Sequence, residues 1–510
     1  MFGNGKTRHS TLFFFLLAGL AVASALLRFW AFLQTPYANG WDSYFYLVQL
    51  KSLEETGRMH SSEASLIYPY LRLFYWLTGD YVLGMKVGTA ILAGIFTASV
   101  FWFSQSPTRE LPFHFRPLFL GAWSLFSPHL TYFAAQYPKN LLGVVLLVMF
   151  IGSLAKIRVR DLSQKPRGWI FPIFLLVINY FGHRLTFSLA VTYLVFWFVF
   201  QYRNSFFSKL FSLKNLLYAC VALGFFFAAG QIFPGLFHLA DFGRLEGVLD
   251  WRPQFAPYSF VSEFGLGRIS GWWLFEVCAV TGFWLLAVGL GLRRKKFFNT
   301  PTPLLVLCSL LLFPFLEWLF TGIAWRFFLV FILLTPLLVI DFQIDNQRRS
   351  GLIFAAILSF CSLFSWKSYH PKQHDPDYAA FAQLTEQARQ ILAGKYPELI
   401  IAPNVLSEFF TFTTGVDAMP WLPEYSVDSN RLWRIATGVH PRTLEYYAGA
   451  NQDKVRSLGY QYFLMPEHVW QSIVRKAELE KDEDFLADIR RGRNPSHIRP
   501  DWLLRRKRSF

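Results

Sequence analysis

The chain has 510 residues, of which 54% are hydrophobic and only 16% charged. A soluble globular protein carries about 25% charged residues, so the composition excludes an ordinary soluble enzyme. The formal net charge is +16, from 49 Lys and Arg against 33 Asp and Glu. In a soluble chain that excess would point to nucleic acid. Here the basic residues gather in short loops between apolar runs, as the positive-inside rule requires, and nucleic acid is set aside as a partner.

Apolar runs recur at 11–34, 81–104, 117–136, 139–155, 169–181, 185–202, 215–239, 271–292, 303–320, 326–340 and 351–366. They predict an α-helical polytopic membrane protein of about eleven spans. The first run follows Lys6 and Arg8 without a small-x-small cleavage pattern, so it is read as an uncleaved first span. With the N-terminus inside, the inner loops 1–10, 105–116, 156–168, 203–214, 293–302 and 341–350 hold most of the loop Lys and Arg and few acids. The outer loops 35–80 and 240–270 are mixed. A hairpin turning at Gly182-His183-Arg184 keeps the basic loops on both of its flanks inside; one long helix over 169–202 would not. All four Cys (Cys220, Cys278, Cys308, Cys361) lie in apolar runs with no zinc spacing, and read as small buried hydrophobes.

The odd span number leaves 367–510 outside, and this tail is a different material. Phe381, Leu384, Ala388 and Leu392 have helical spacing, whereas Leu399-Ile400-Ile401 and Tyr460-Gln461-Tyr462-Phe463-Leu464 read as short strands before Pro403 and Pro466. The expected organisation is a transmembrane domain over 1–366 and a small external α/β domain over 367–510. The expected location is a bacterial inner membrane, with the C-terminal domain in the periplasm. The basic end, Arg505 to Arg508, is either solvated or set against anionic headgroups.

The first outer loop carries Gly40-Trp41-Asp42-Ser43-Tyr44-Phe45-Tyr46, followed by a helical pattern ending at Glu54-Glu55-Thr56-Gly57. Taken alone, Asp42 fits two roles. It is a good helix N-cap, and it is also an acid among aromatics whose pKa can be shifted for proton transfer.

That segment resembles the first external loop of GT-C glycosyltransferases, closest to the catalytic subunits of oligosaccharyltransferases. Trp41-Asp42-Ser43-Tyr44-Phe45, the helix ending at Gly57, Tyr68-Pro69, and Lys86 where relatives often carry Arg all bear the likeness. The layout of many spans, a long first loop and an external C-terminal domain extends it over most of the chain. The resemblance implies a polyprenyl-phosphate sugar donor, inversion at the anomeric carbon, and Asp42 as the catalytic carboxylate. The acceptor would be a hydroxyl or amide on a glycan, lipid or protein. It also implies that Arg326, in Trp325-Arg326-Phe327-Phe328 with Pro336 further on, neutralises the leaving phosphate.

The chain departs from the family in two places. Relatives often carry a second acid between the third and fourth spans that helps to hold a metal, and no acid occurs from Ser127 to Leu154. A divalent cation is thus not supported by a second clear acid. The acceptor-reading Trp-Trp-Asp motif is missing from the tail, since Trp272-Trp273 is followed by Leu274.

Other polar residues near apolar runs are weighed singly. Lys139, after Tyr137-Pro138, can meet a lipid phosphate or snorkel at a helix end. His183 and Arg184 are costly between apolar helices unless paired or facing water, and a donor phosphate is a natural partner for them. His129 is expected to make one hydrogen bond at the membrane interface. Arg28 is expected to pair within the bundle or to reach outward, and Glu276 and Glu317 read as structural. Loop 240–270 is too long for a plain turn, and either covers a substrate groove or forms an interfacial helix. No nucleotide-binding or hydrolase motif occurs where it would need to sit. The expected activity is glycosyl transfer at the outer face of the membrane. The alternative is a transporter or flippase of a lipid or solute, which buried Arg, Lys, Glu and His would also suit.

Overall fold

The computed structural model describes residues 4–61, 63, 65–103, 115–154, 166–201, 374–420, 426–437, 456–457 and 462–490, with a few residues between 228 and 363. It divides into two compact units, Met1–Asn39 with Ser61–His374, and Gly40–His60 with Asp375–Phe510.

The first unit is helical: α1 (Asn4–Phe32), α3 (Ile67–Thr78), α4 (Tyr81–Phe103), α5 (Phe115–Phe126), α6 (Pro128–Gln136), α7 (Pro138–Leu154), α8 (Ile170–Gly182) and α9 (Arg184–Gln201). The intervening α2 belongs to the second unit. Within α1 and α4, Thr11–Phe32 and Tyr81–Phe103 are long and apolar enough to cross a membrane; Pro138–Leu154, Ile170–Gly182 and Arg184–Phe198 are shorter apolar helices. The five later spans lie almost wholly outside the described residues, as do Arg326, Glu276, Glu317, loop 240–270 and the four Cys.

Small residues set the packing of the bundle. A Cβ on Gly94 of α4 would meet the Ala21 carbonyl oxygen of α1 at 2.6 Å, and the Thr97 hydroxyl donates to Ser24 Oγ across the same seam at 2.8 Å. Close backbone approach with hydroxyl bridging is how helices associate in lipid, where no hydrophobic force drives them together. Gly84 and Gly88 likewise admit Tyr75 and Phe74 of α3.

The expected single span over 117–136 is instead two helices. Pro128 has no N–H to continue α5, and Ser127 caps α6 by accepting from the Leu130 N–H at 3.2 Å. The broken end needs donors for its last carbonyls, and Arg28 supplies them. Its fully buried guanidinium donates to the carbonyls of Ser124 (2.8 Å) and Ser127 (3.1 Å), to that of Leu125, and to Ser24 Oγ at 2.9 Å. Of the two roles expected for Arg28, pairing within the bundle is the one observed.

The chain reverses at His183. Trp169, just before α8, meets Trp197 and Phe198 near the end of α9, with ring centroids 5.5 and 5.9 Å apart, so α8 and α9 run antiparallel as the basic loops required.

The second unit is α/β. Its strands are β1 (Leu399–Ile401), β2 (Ala418–Met419), β3 (Leu432–Thr437), β4 (Arg456–Ser457) and β5 (Tyr462–Pro466). They lie in the order β2-β1-β3-β5-β4; β1 is parallel to both β2 and β3, and β5 is antiparallel to β3 and β4. One core cluster joins the sheet to α10 (Tyr378–Leu392) and α11 (Leu406–Thr414), and another joins it to α12 (Glu467–Glu480) and α13 (Glu483–Arg490). The spacing of Phe381, Leu384, Ala388 and Leu392 thus marks a real buried face of α10.

Residues 40–60, expected within the membrane domain, cluster with this unit. They form α2 (Ser43–Thr56), which ends at Gly57 with φ of 71° and its N–H on the Leu53 carbonyl. The cause is aromatic packing. Tyr44 lies against Tyr378, Phe409 and Phe412, with centroids 4.8, 4.6 and 5.4 Å apart.

Candidate functional site

Asp42 stands at the N-cap position of α2, yet its side chain makes no capping hydrogen bond. The capping role is thus not filled by its side chain. The backbone leading to it is pinned from both sides. The Gly40 N–H donates to Asp375 Oδ1 at 3.0 Å, and the Tyr378 hydroxyl donates to the Gly40 carbonyl. Further along, Lys51 Nζ donates to the Phe412 carbonyl at 3.0 Å, and His60 Nδ1 lies 3.9 Å from Asp417 Oδ1. Both ends of the segment are therefore tied to α10, α11 and the residues beside them.

A second carboxyl feels the charge of Asp42. Glu408, in the first turn of α11, is half-buried, and its pKa is pushed up to about 8, first by burial and then by the Asp42 charge. It is mostly protonated at pH 7. The Tyr378 hydroxyl is also pushed up, by burial and then by Asp375, Tyr44, Glu408 and Asp42, so it remains a donor. Glu408 was not found from the sequence. The signal was there in Leu406-Ser407-Glu408-Phe409-Phe410, an acid inside an apolar helical run, but nothing local tied it to residue 42.

In the first unit, Lys139, His183 and Arg184 gather at one end of the bundle. A Cβ on Gly143, one turn beyond Lys139 on α7, would lie 2.6 Å from His183 Cβ and 2.2 Å from Thr186 Oγ1. His183 closes α8 through its N–H on the Asn179 carbonyl at 2.9 Å, and Arg184 opens α9. Lys139 is already engaged, because its Nζ pairs with Glu63, whose other oxygen accepts from the Tyr68 hydroxyl. The Glu63 segment is held there by the Leu66 N–H on the Phe181 carbonyl (2.9 Å) and by Ser65 Oγ on the Gly182 carbonyl (3.2 Å). Glu63 is the acid near Lys139 that the stretch from Ser127 to Leu154 lacks. It comes from 76 positions earlier, a separation no spacing pattern reveals. His129 is fully buried. Lys86 is also buried, with its Nζ on the Thr35 carbonyl.

Among the described residues no group of three or more His, Cys, Asp or Glu is arranged to hold a metal ion.

The sequence matches no protein family and no curated protein. Among solved structures it is similar to the archaeal oligosaccharyltransferase AglB from Archaeoglobus fulgidus, in complex with an inhibitory peptide and a dolichol-phosphate. The TM-score is 0.50 at 11% identity, over 85% of this chain and 70% of that one. The likeness is one of fold. The chain has a fold like that of AglB.

Proposed function

We propose that the protein is a membrane glycosyltransferase that moves a sugar from a polyprenyl-phosphate-linked donor to an acceptor at the outer face of the membrane. The observation that carries this reading is Asp42, an acid at the head of the first-loop helix of a GT-C-like fold, whose side chain does not cap that helix and whose charge acts on a second carboxyl. The neighbouring fold AglB, which holds a dolichol-phosphate and a peptide, gives the donor and acceptor classes by analogy.

In this reaction the acceptor oxygen or nitrogen attacks the anomeric carbon and the bond from that carbon to the phosphate oxygen breaks. The lipid phosphate leaves with the bonding pair. Asp42 takes the acceptor's proton or orients its lone pair. His183, Arg184 and Arg326 offset the charge growing on the phosphate, and Lys139 joins them if it gives up Glu63. Metal dependence follows from none of these residues.

The test is Asp42→Asn, assayed in membranes with a panel of radiolabelled polyprenyl-phosphate and polyprenyl-diphosphate sugars. Wild type should give a covalent glycosylated product, and the variant should lose at least about 10²-fold in rate at equal abundance. An equally active variant refutes the assignment. Solute movement in proteoliposomes without covalent product would favour the transporter.

A further inference from the structure

Gly40 is the fixed point of the acid-bearing turn. Its φ of 102° lies in the region that favours glycine, so the chain bends there in a way other residues resist. Its N–H and its carbonyl each have a partner from one short stretch before and within α10, namely Asp375 and Tyr378. Tyr378 is only 2% exposed, and its ring packs against Tyr44, two residues beyond Asp42, as well as against Phe409, the neighbour of Glu408. One tyrosine thus touches the backbone before the acid, the side chain after it, and the helix that brings the second carboxyl.

We propose that Tyr378 and Asp375 are positioning residues for Asp42, holding the Gly40 peptide from both sides so that the carboxyl two residues on points in a fixed direction. The inference rests on Asp42 being the acid of the proposed transfer. A swing of about 1 Å in such a group costs about 10²-fold in rate. Its two hydrogen bonds differ in what they require. Asp375 needs only an acceptor oxygen, whereas Tyr378 needs a donor at the end of a ring.

The experiment uses the full chain in detergent, with Tyr378→Phe, Asp375→Leu, Asp375→Asn and Gly40→Ala. The first readout is the rate at which a hydrophobic carbodiimide modifies Asp42 at about pH 5, where an ordinary carboxyl keeps a reactive protonated fraction, measured by peptide mass spectrometry that resolves it from Glu408. It requires no substrate. Tyr378→Phe, Asp375→Leu and Gly40→Ala should each change that rate by roughly fivefold or more, the worth of a lost buried hydrogen bond. Asp375→Asn, which keeps a carbonyl oxygen for the Gly40 N–H, should recover most of what Asp375→Leu changes. The second readout is transfer from a radiolabelled polyprenyl-phosphate sugar, where kcat should fall about 10–100-fold while KM moves less than about twofold. Melting temperatures identify any variant that fails to fold, and the Asp375 pair then decides.

If Asp42 labelling is the same in wild type and in every folded variant, the clamp is overturned. If Asp42→Asn transfers normally, the functional assignment falls, and Asp42 labelling alone judges the clamp. A change in labelling then supports it and no change sinks it.

Discussion

Glu408 offers the sharpest test of the paired acids. Its pKa moves from 4.5 to about 8 in the folded protein, with burial the larger cause and the Asp42 charge the second. Each unit is worth about 1.36 kcal/mol, so ionising Glu408 in place costs at most about 5 kcal/mol. The sign follows from the neutral form being the favoured one. The stability it contributes is fully present below about pH 4.5 and is lost as pH climbs through about 8. Glu408→Gln cannot ionise, so its melting temperature relative to wild type should rise from about pH 5 to about pH 8 and level off above that. The same property makes Glu408 a carbodiimide target at pH 7, where exposed carboxylates no longer react. Asp42→Asn removes only the second cause, so the midpoint should fall below about 8 and stay above 4.5. A melting difference that is flat over pH 5–9, or a Glu408 that stops reacting by about pH 6 like a solvated acid, would refute the coupling.

Two further expectations concern the membrane unit. Arg28→Met leaves the carbonyls of Ser124, Leu125 and Ser127 without their buried donor, at about 1–3 kcal/mol each, so folded yield in detergent should drop sharply. Wild-type yield would show that the α5–α6 break is satisfied in another way. Lys139→Met should strand Glu63, and adding Glu63→Gln should restore the melting temperature, since the pair then loses both charges together. If Lys139 also holds the donor phosphate, the double variant regains stability but not transfer; recovery of both assigns Lys139 to structure alone.

Local pattern carried the elements a long way. Hydropathy located α1 and α4, charge placed the reversal at His183, and period-three-to-four spacing marked α10 before β1. These are signals that the sequence stores within a window. Ser127-Pro128 was also legible in principle, because a cap followed by proline stops a helix whatever the hydropathy around it. What escaped were the partnerships. Arg28 meets carbonyls almost a hundred positions away, Glu63 meets Lys139 across 76, and Gly40 meets Asp375 across 335. A hydrogen bond at such separation leaves no mark on its neighbours, since each end is locally an ordinary polar residue.

The first loop shows why this matters for function. In the sequence its aromatics read as a cluster around Asp42, the acid's own surroundings. In the fold, Tyr44 is instead an anchor, spending its ring on Tyr378, Phe409 and Phe412. The helix that supplies Phe409 and Phe412 to Tyr44 also carries Glu408, and the stretch that supplies Tyr378 also carries Asp375, which holds Gly40. An acid needs a low-mobility backbone and a neighbour that tunes its charge before it can do proton chemistry at neutral pH. A segment of 14 helical residues with half its faces wet could supply neither by itself. The second carboxyl belongs to the C-terminal region because that region provides the hydrophobic floor on which the loop helix lies.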